Sequence, residues 1–159
     1  MFPILIKRTS RVSPRRLRTV ISQGQKQAHQ NLGTWLLVIA TPRRFTREHA
    51  REANYTPRKR RYQIAKQKKF KHNNPLQYTG RAKLASTMAR ITATSTRTSV
   101  RFPQLRVLNL KLRNSDINMR QEFEFVTQKE TGELAAVYEN TLNFALQNVG
   151  VDPEVTFAR

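Results

Sequence analysis

The sequence predicts an α+β fold, with long N-terminal and C-terminal helices packed on an antiparallel sheet of about four strands and a basic helical insertion near residues 42–80. Three observations carry this. Apolar residues recur every three or four positions from Leu17 to Ile39, the period changes to two between Ala89 and Phe125, and the helical spacing returns from Leu134 to Val149. A chain of 159 residues buries one core at ordinary surface-to-volume ratios, so residues 1–159 are expected to form one domain without internal repeats.

The elements follow in order. Phe2, Ile4 and Ile6 alternate with other residues and suggest a short first strand before a basic turn at Lys7–Arg11. Ser13 and Pro14 supply an N-cap with proline at the first helical position, where its missing N–H costs nothing. The stripe of the helix that starts there is Leu17, Val20, Ile21, Gly24, Ala28, Leu32, Trp35 and Ile39, and Pro42 is expected to end it. Gly24, on that stripe, admits close approach of another backbone. Thr41–Tyr55 reads as a connection with one helical turn at Thr46–Ala53, and Thr56-Pro57 repeats the cap-plus-proline signal to predict a second helix over 57–70.

Asn73-Asn74-Pro75 breaks that helix, and Tyr78-Thr79-Gly80 forms a turn that opens a short helix through Ala85. Four strands are then expected from alternation: Ala89, Ile91 and Ala93; Val100 and Phe102 after a Ser95-Thr96-Arg97 turn; Leu108, Leu110 and Leu112; and Met119, Gln121, Phe123 and Phe125. Short connections make them an antiparallel meander with one covered face. Thr127 and Glu130 have capping-box spacing, and Leu134, Val137, Tyr138, Thr141, Leu142, Ala145 and Val149 form the stripe of a last helix that Gly150 ends.

Charge is the strongest functional signal. The net charge is +20, with 19 basic and 2 acidic residues in 1–75, 8 basic and none acidic in 76–115, and 3 basic against 8 acidic in 116–159. Thr56–Gly80 holds eight Lys or Arg side chains within an acid-free window from Ala53 to Ser115. A block of one sign implies an external counter-charge: nucleic acid, an acidic protein surface or anionic lipid. The opposed ends of the chain also suit a head-to-tail ring of identical copies. The helix over 57–70 lacks an apolar face. Tyr55, Tyr62 and Phe70 fall near one line, with Arg58, Lys59, Arg60, Arg61, Lys66, Lys68 and Lys69 in nearly every other direction, so it is expected in solvent or against a partner. The aromatic line is expected to pack onto the domain rather than to stack on bases.

Other classes find little support. No cysteine is present, which excludes disulfides, thiolate metal sites and cysteine nucleophiles. His29, His49 and His72 are scattered without ligand spacing, Asp116 and Asp152 lie far apart, and no glycine loop for phosphate occurs. Asp152-Pro153-Glu154 lacks the lysine of a nuclease carboxylate pair and reads as a terminal turn. Neither catalysis nor a cofactor is expected. The apolar run Leu32–Ala40 is about half of the roughly 20 residues that span a bilayer, and Met1–Ile6 precedes the first charges, the reverse of a secretory signal. Residues 1–47 contain no acid and are rich in arginine, as an organellar transit peptide is.

Pro42-Arg43-Arg44-Phe45-Thr46-Arg47-Glu48-His49-Ala50-Arg51-Glu52-Ala53, followed by Tyr55-Thr56-Pro57-Arg58, Arg61-Tyr62, Lys66 and Asn74-Pro75-Leu76-Gln77-Tyr78-Thr79-Gly80-Arg81, resembles the signature of a family of tailed-bacteriophage virion proteins. These are minor tail, tail-completion or neck (head-to-tail connector) components. The match covers about a quarter of the chain, and Ala82 stands where a larger apolar residue is common in the family. The resemblance implies a non-enzymatic structural protein, assembled in the host cytoplasm and located in the neck or tail of the virion. It also implies a homo-oligomeric ring around the DNA channel, with other neck, tail or portal-associated proteins as partners and no membrane. Arg58, Lys59, Arg60, Arg61, Lys66, Lys68, Lys69 and Lys71 are the expected contacts to DNA or to an acidic partner. Tyr62, Tyr78, Thr79, Gly80 and Arg81 are the residues expected to position that segment. The rival expectation is a ribosomal or other RNA-binding structural protein, which the basic composition explains equally well.

Overall fold

The computed structural model describes residues 13–77, 80–105, 108 and 117–148. In chain order these hold α1 (Pro14–Trp35), a π-helical turn (Leu36–Ala40), α2 (Thr41–Arg43), α3 (Arg47–Glu52), α4 (Arg60–Phe70), α5 (Arg81–Ser86), β1 (Arg90–Ala93), β2 (Thr98–Arg101), α6 (Met119–Glu124) and α7 (Gln128–Gln147). The class is α+β and mostly helical. The chain divides into two compact units, one built from residues up to Thr34, Ile91–Ser99 and Gly132 onward, the other from Trp35–Arg90 and Val100–Thr131.

In the first unit, α1 begins as its cap predicts, with the Arg16 N–H donating to Ser13 Oγ at 3.4 Å and the Leu17 N–H to the Ser13 carbonyl at 3.0 Å. Its buried residues are small: Gly24, Ala28 and Gly33. A Cβ at Gly24 would lie 3.0 Å from Ala145 Cβ and 3.2 Å from Leu142 Cδ1, so α1 and α7 meet with almost no side chain between them. Gly33, which the apolar stripe passes over, is tighter still, because its Cβ would stand 2.4 Å from Ile91 Cγ2 on β1. Leu142 and Leu146 are fully buried against Leu17, Val20, Ile21 and Tyr138. Leu146 is one turn beyond Leu142 and belongs to the same face. The Asn31 amide donates to Thr141 Oγ1 at 3.0 Å, a cross-helix tie among apolar contacts.

Pro42 does not simply end the first helix. A proline inside a helix removes one N–H and drives its ring toward the carbonyl four residues back. The chain widens into the π-turn instead, with the Thr41 N–H and hydroxyl both donating to the Leu36 carbonyl, the latter at 2.7 Å. One extra residue per turn rotates the downstream face, so Ala40 is buried and Ile39, expected on the stripe, is 37% exposed.

The second unit has an aromatic and aliphatic core of Phe45, Leu76, Ala82, Leu105, Leu108 and Phe123. Phe102 meets Phe123 edge-on at 5.3 Å, and Phe45 lies 5.9 Å from the same ring. Beside it sits a buried polar knot. The expected capping box forms, Thr127 N–H to Glu130 Oε2 and Glu130 N–H to Thr127 Oγ1, each at 3.2 Å, and the same carboxylate lies 3.9 Å from Arg44 and 3.8 Å from His49. Arg44 Nε, His49 Nε2 and Glu130 Oε1 have no further hydrogen-bond partner there.

The sheet differs from the expectation. It has two described strands, β1 and β2, joined by the Ser95-Thr96 turn, rather than about four. Phe2–Ile6, Leu110, Leu112 and Gly150 lie outside the described residues. The expected strand at Met119–Phe125 is the helix α6. The Asn118 side chain accepts from the Gln121 N–H at 3.0 Å and caps a run of good helix formers, a local signal stronger than four alternating residues. Phe123 is buried while Phe125 is 49% exposed, which a strand would not allow on one face.

Candidate nucleic-acid interface

The second basic helix begins at Arg60, three residues later than Thr56-Pro57 predicts. Thr56 is not its cap. The Thr56 N–H donates to Glu122 Oε1 at 3.0 Å, and Pro57 holds the preceding residue extended. Arg58 then closes a fork on the same carboxylate, Nη1 to Oε1 at 2.9 Å and Nη2 to Oε2 at 2.5 Å, and also donates to the Thr56 carbonyl at 2.6 Å. This anchor fixes the entry to α4. Lys59 occupies the N-cap position with no side-chain cap, and the Gln63 amide reaches back to the Arg58 carbonyl at 2.9 Å.

The exit is fixed from Lys66. Lys66 is 5% exposed, and its ammonium donates to the Asn74 carbonyl with the Tyr62 ring 5.9 Å away. Burial first, and the charge of Arg58 second, push the Lys66 pKa down to about 8. Lys71 takes a left-handed conformation, φ 60°, to end the helix, and Leu76, φ 52°, turns its side chain into the core. Gly80, φ 81°, occupies the backbone position that admits glycine and opens α5 at Arg81. Tyr78 and Thr79 lie outside the described residues.

The eight expected contact residues therefore divide. Arg58 and Lys66 hold the helix in place. Lys59, Arg60, Arg61, Lys68, Lys69 and Lys71 are exposed, and none meets a carboxylate at ion-pair distance among the described residues. Arg61, Ile64 and Lys68 share one outward face at helical spacing, with Ile64 49% exposed between the cations. Tyr62 and Phe70 lie on the opposite line with Lys66, and Lys69 rides 5.4 Å above the Phe70 ring. Tyr55 packs against the core and meets His49 edge-on at 5.7 Å, and burial raises its phenol pKa. The first turn of α4 carries no acid, so Arg60 and Arg61 stand at the positive end of the helix dipole.

Sequence reasoning missed Glu122 and Glu130 as internal partners of the basic region. The Asn118 cap was the available signal for the first, since it places Glu122 on a helix. Glu124 is also engaged, with Arg120 at 2.8 Å, and Lys129 lies 3.8 Å from Glu52. The acidic end is thus largely matched to its own chain between residues 117 and 131. Among the described residues no group of three or more His, Asp or Glu could hold a metal ion, and no helix is long and apolar enough to cross a membrane. Comparison with protein-family models, with curated proteins and with solved structures gives no match to the chain.

Proposed function

We propose that this chain is a non-enzymatic structural protein of the neck or tail-completion assembly of a tailed bacteriophage, forming a ring around the DNA channel with α4 turned toward the genome. The observation that carries the reading is the division on α4: two cations anchor the helix, and six remain exposed with no carboxylate beside them among the described residues. Glu122, Glu124 and Glu130 are occupied by Arg58, Arg120 and Arg44, so these acids do not offer a second copy its counter-charge. A polyanion does. Phosphate contacts need charge and reach, not catalytic geometry. The placement in the virion rests on the resemblance of the Pro42–Arg81 region.

The experiment is a salt titration of DNA binding with Lys59, Arg60, Arg61 and Lys68 all changed to Gln. The slope of log affinity against log salt should flatten by about 3 to 4 units, at roughly 0.9 per phosphate neutralised. An unchanged slope with lost particle assembly would make α4 a docking element for an acidic virion protein. Electron microscopy of intact particles tests the neck reading directly, and co-sedimentation with ribosomes instead would favour the RNA-binding alternative.

A further inference from the structure

The β1–β2 hairpin is also basic, though less densely than α4, and has a different geometry. Its twelve residues, Arg90–Arg101, hold three arginines, four threonines, two serines and no carboxylate. The Thr94 N–H donates to the Arg97 carbonyl at 2.9 Å, which closes the turn and sets the register. Counting back along the two four-residue strands, Ile91 opposes Val100 and Arg90 opposes Arg101. Ile91 faces inward, so the pleat turns its neighbour Arg90 outward, and both arginines are exposed.

Directly opposed side chains on an antiparallel pair have Cβ atoms about 5 Å apart, where like charges destabilise the pair. Neither arginine has an ion pair among the described residues, and the nearest acids in sequence lie beyond Ala53 and Ser115. Two opposed arginines that share a counter-ion form a favourable arrangement: a phosphate accepts from both guanidinium groups, and the repulsion becomes a clamp. We infer that Arg90 and Arg101 form a phosphate-binding clamp whose ligand is a phosphodiester of a nucleic-acid backbone. The clamp does not depend on α4 facing DNA.

The full-length protein is compared with Arg101→Thr and with Arg90→Gln/Arg101→Gln, leaving α4 intact. Without ligand, Arg101→Thr should melt a few degrees higher than the parent, because the opposed charges are relieved. In DNA binding, the double variant should flatten the salt slope by about 2 units, separately from the change produced on α4. Inorganic phosphate, titrated at low salt, should shift the Nε–Hε signals of both arginines. Phosphate shifts with a DNA slope unchanged by the double variant would keep the clamp and make free phosphate its ligand. A lower melting temperature for Arg101→Thr, or no phosphate shift together with an unchanged slope, would overturn the clamp.

Discussion

The two units solve the same problem with different chemistry. In the first, α1 and α7 approach through Gly24, Ala28 and Ala145, and β1 seats Ile91 on Gly33, so cohesion comes from close contact between small surfaces. In the second, short helices surround an aromatic core and are stitched by the buried or half-buried ion pairs Arg44 to Glu130 and Arg58 to Glu122, with His49 beside the Glu130 carboxylate. The first unit tolerates no added volume at Gly24 or Gly33. The second tolerates no lost carboxylate. The exposed face of α4 belongs to neither constraint, which leaves its cations available to a partner.

The sharpest way to break this contrast is Glu130→Ala. It removes one arm of the capping box and leaves Arg44, 5% exposed, without its counter-ion, so unfolding in urea should reveal a loss of about 3 to 5 kcal/mol. A loss below 1 kcal/mol would mean that the polar knot is ornamental. Next in size is Gly33→Ala. Helix propensity favours the change by about 1 kcal/mol, but a Cβ 2.4 Å from Ile91 Cγ2 forces the hairpin to shift, for a net loss of about 1 to 3 kcal/mol. Gly132→Ala on α7 is its control: nothing lies within 4 Å, and the same substitution should stabilise by about 0.5 to 1 kcal/mol. Equal effects at the two glycines would refute close packing at Gly33.

Acidification should weaken both units, through one histidine in each. Burial lowers the pKa of His29 and of His49, against the opposing pull of Glu130 on the latter. In the first unit Thr98 gives its hydroxyl proton to the His29 carbonyl at 2.8 Å and so receives from Nδ1–H at 2.9 Å. The unfolded chain therefore takes up protons first, and stability, full above about pH 6.5, should fall as the pH drops below it. Lys66 has the same sign at alkaline pH: its pKa of about 8 lies below the ordinary 10.5, so stability should rise between those values. A flat urea midpoint from pH 7 to 5 would remove the histidine argument. The smallest expected effect is on folding by the fourfold Gln variant of α4, whose melting should stay within about 0.5 kcal/mol of the parent because its changed side chains are exposed. A large loss there would mean that the outward cations support the fold rather than a ligand.

Local signals in the sequence determined the first cap at Ser13-Pro14, the close approach at Gly24, the Thr46 turn, the Gly80 break before α5, the hairpin through Ser95-Thr96 and the Thr127–Glu130 capping box. Each depends on residues within a few positions of one another, where capping and turn chemistry act. The concentration of cations around α4 was equally legible, because charge is additive along a chain. Tertiary structure alone decided which of those cations remain outside. Arg58 reaches Glu122 across 64 positions, and Arg44 reaches Glu130 across a still longer span, pairings that no periodicity encodes. It also gave the locally capped helix α6 its two partners, burying Phe123 in the core and setting the adjacent Glu122 against Arg58. Long-range electrostatics and packing choose among conformations that local propensity leaves nearly equal in energy, and here that choice separated the cations that hold the fold from those left exposed on α4.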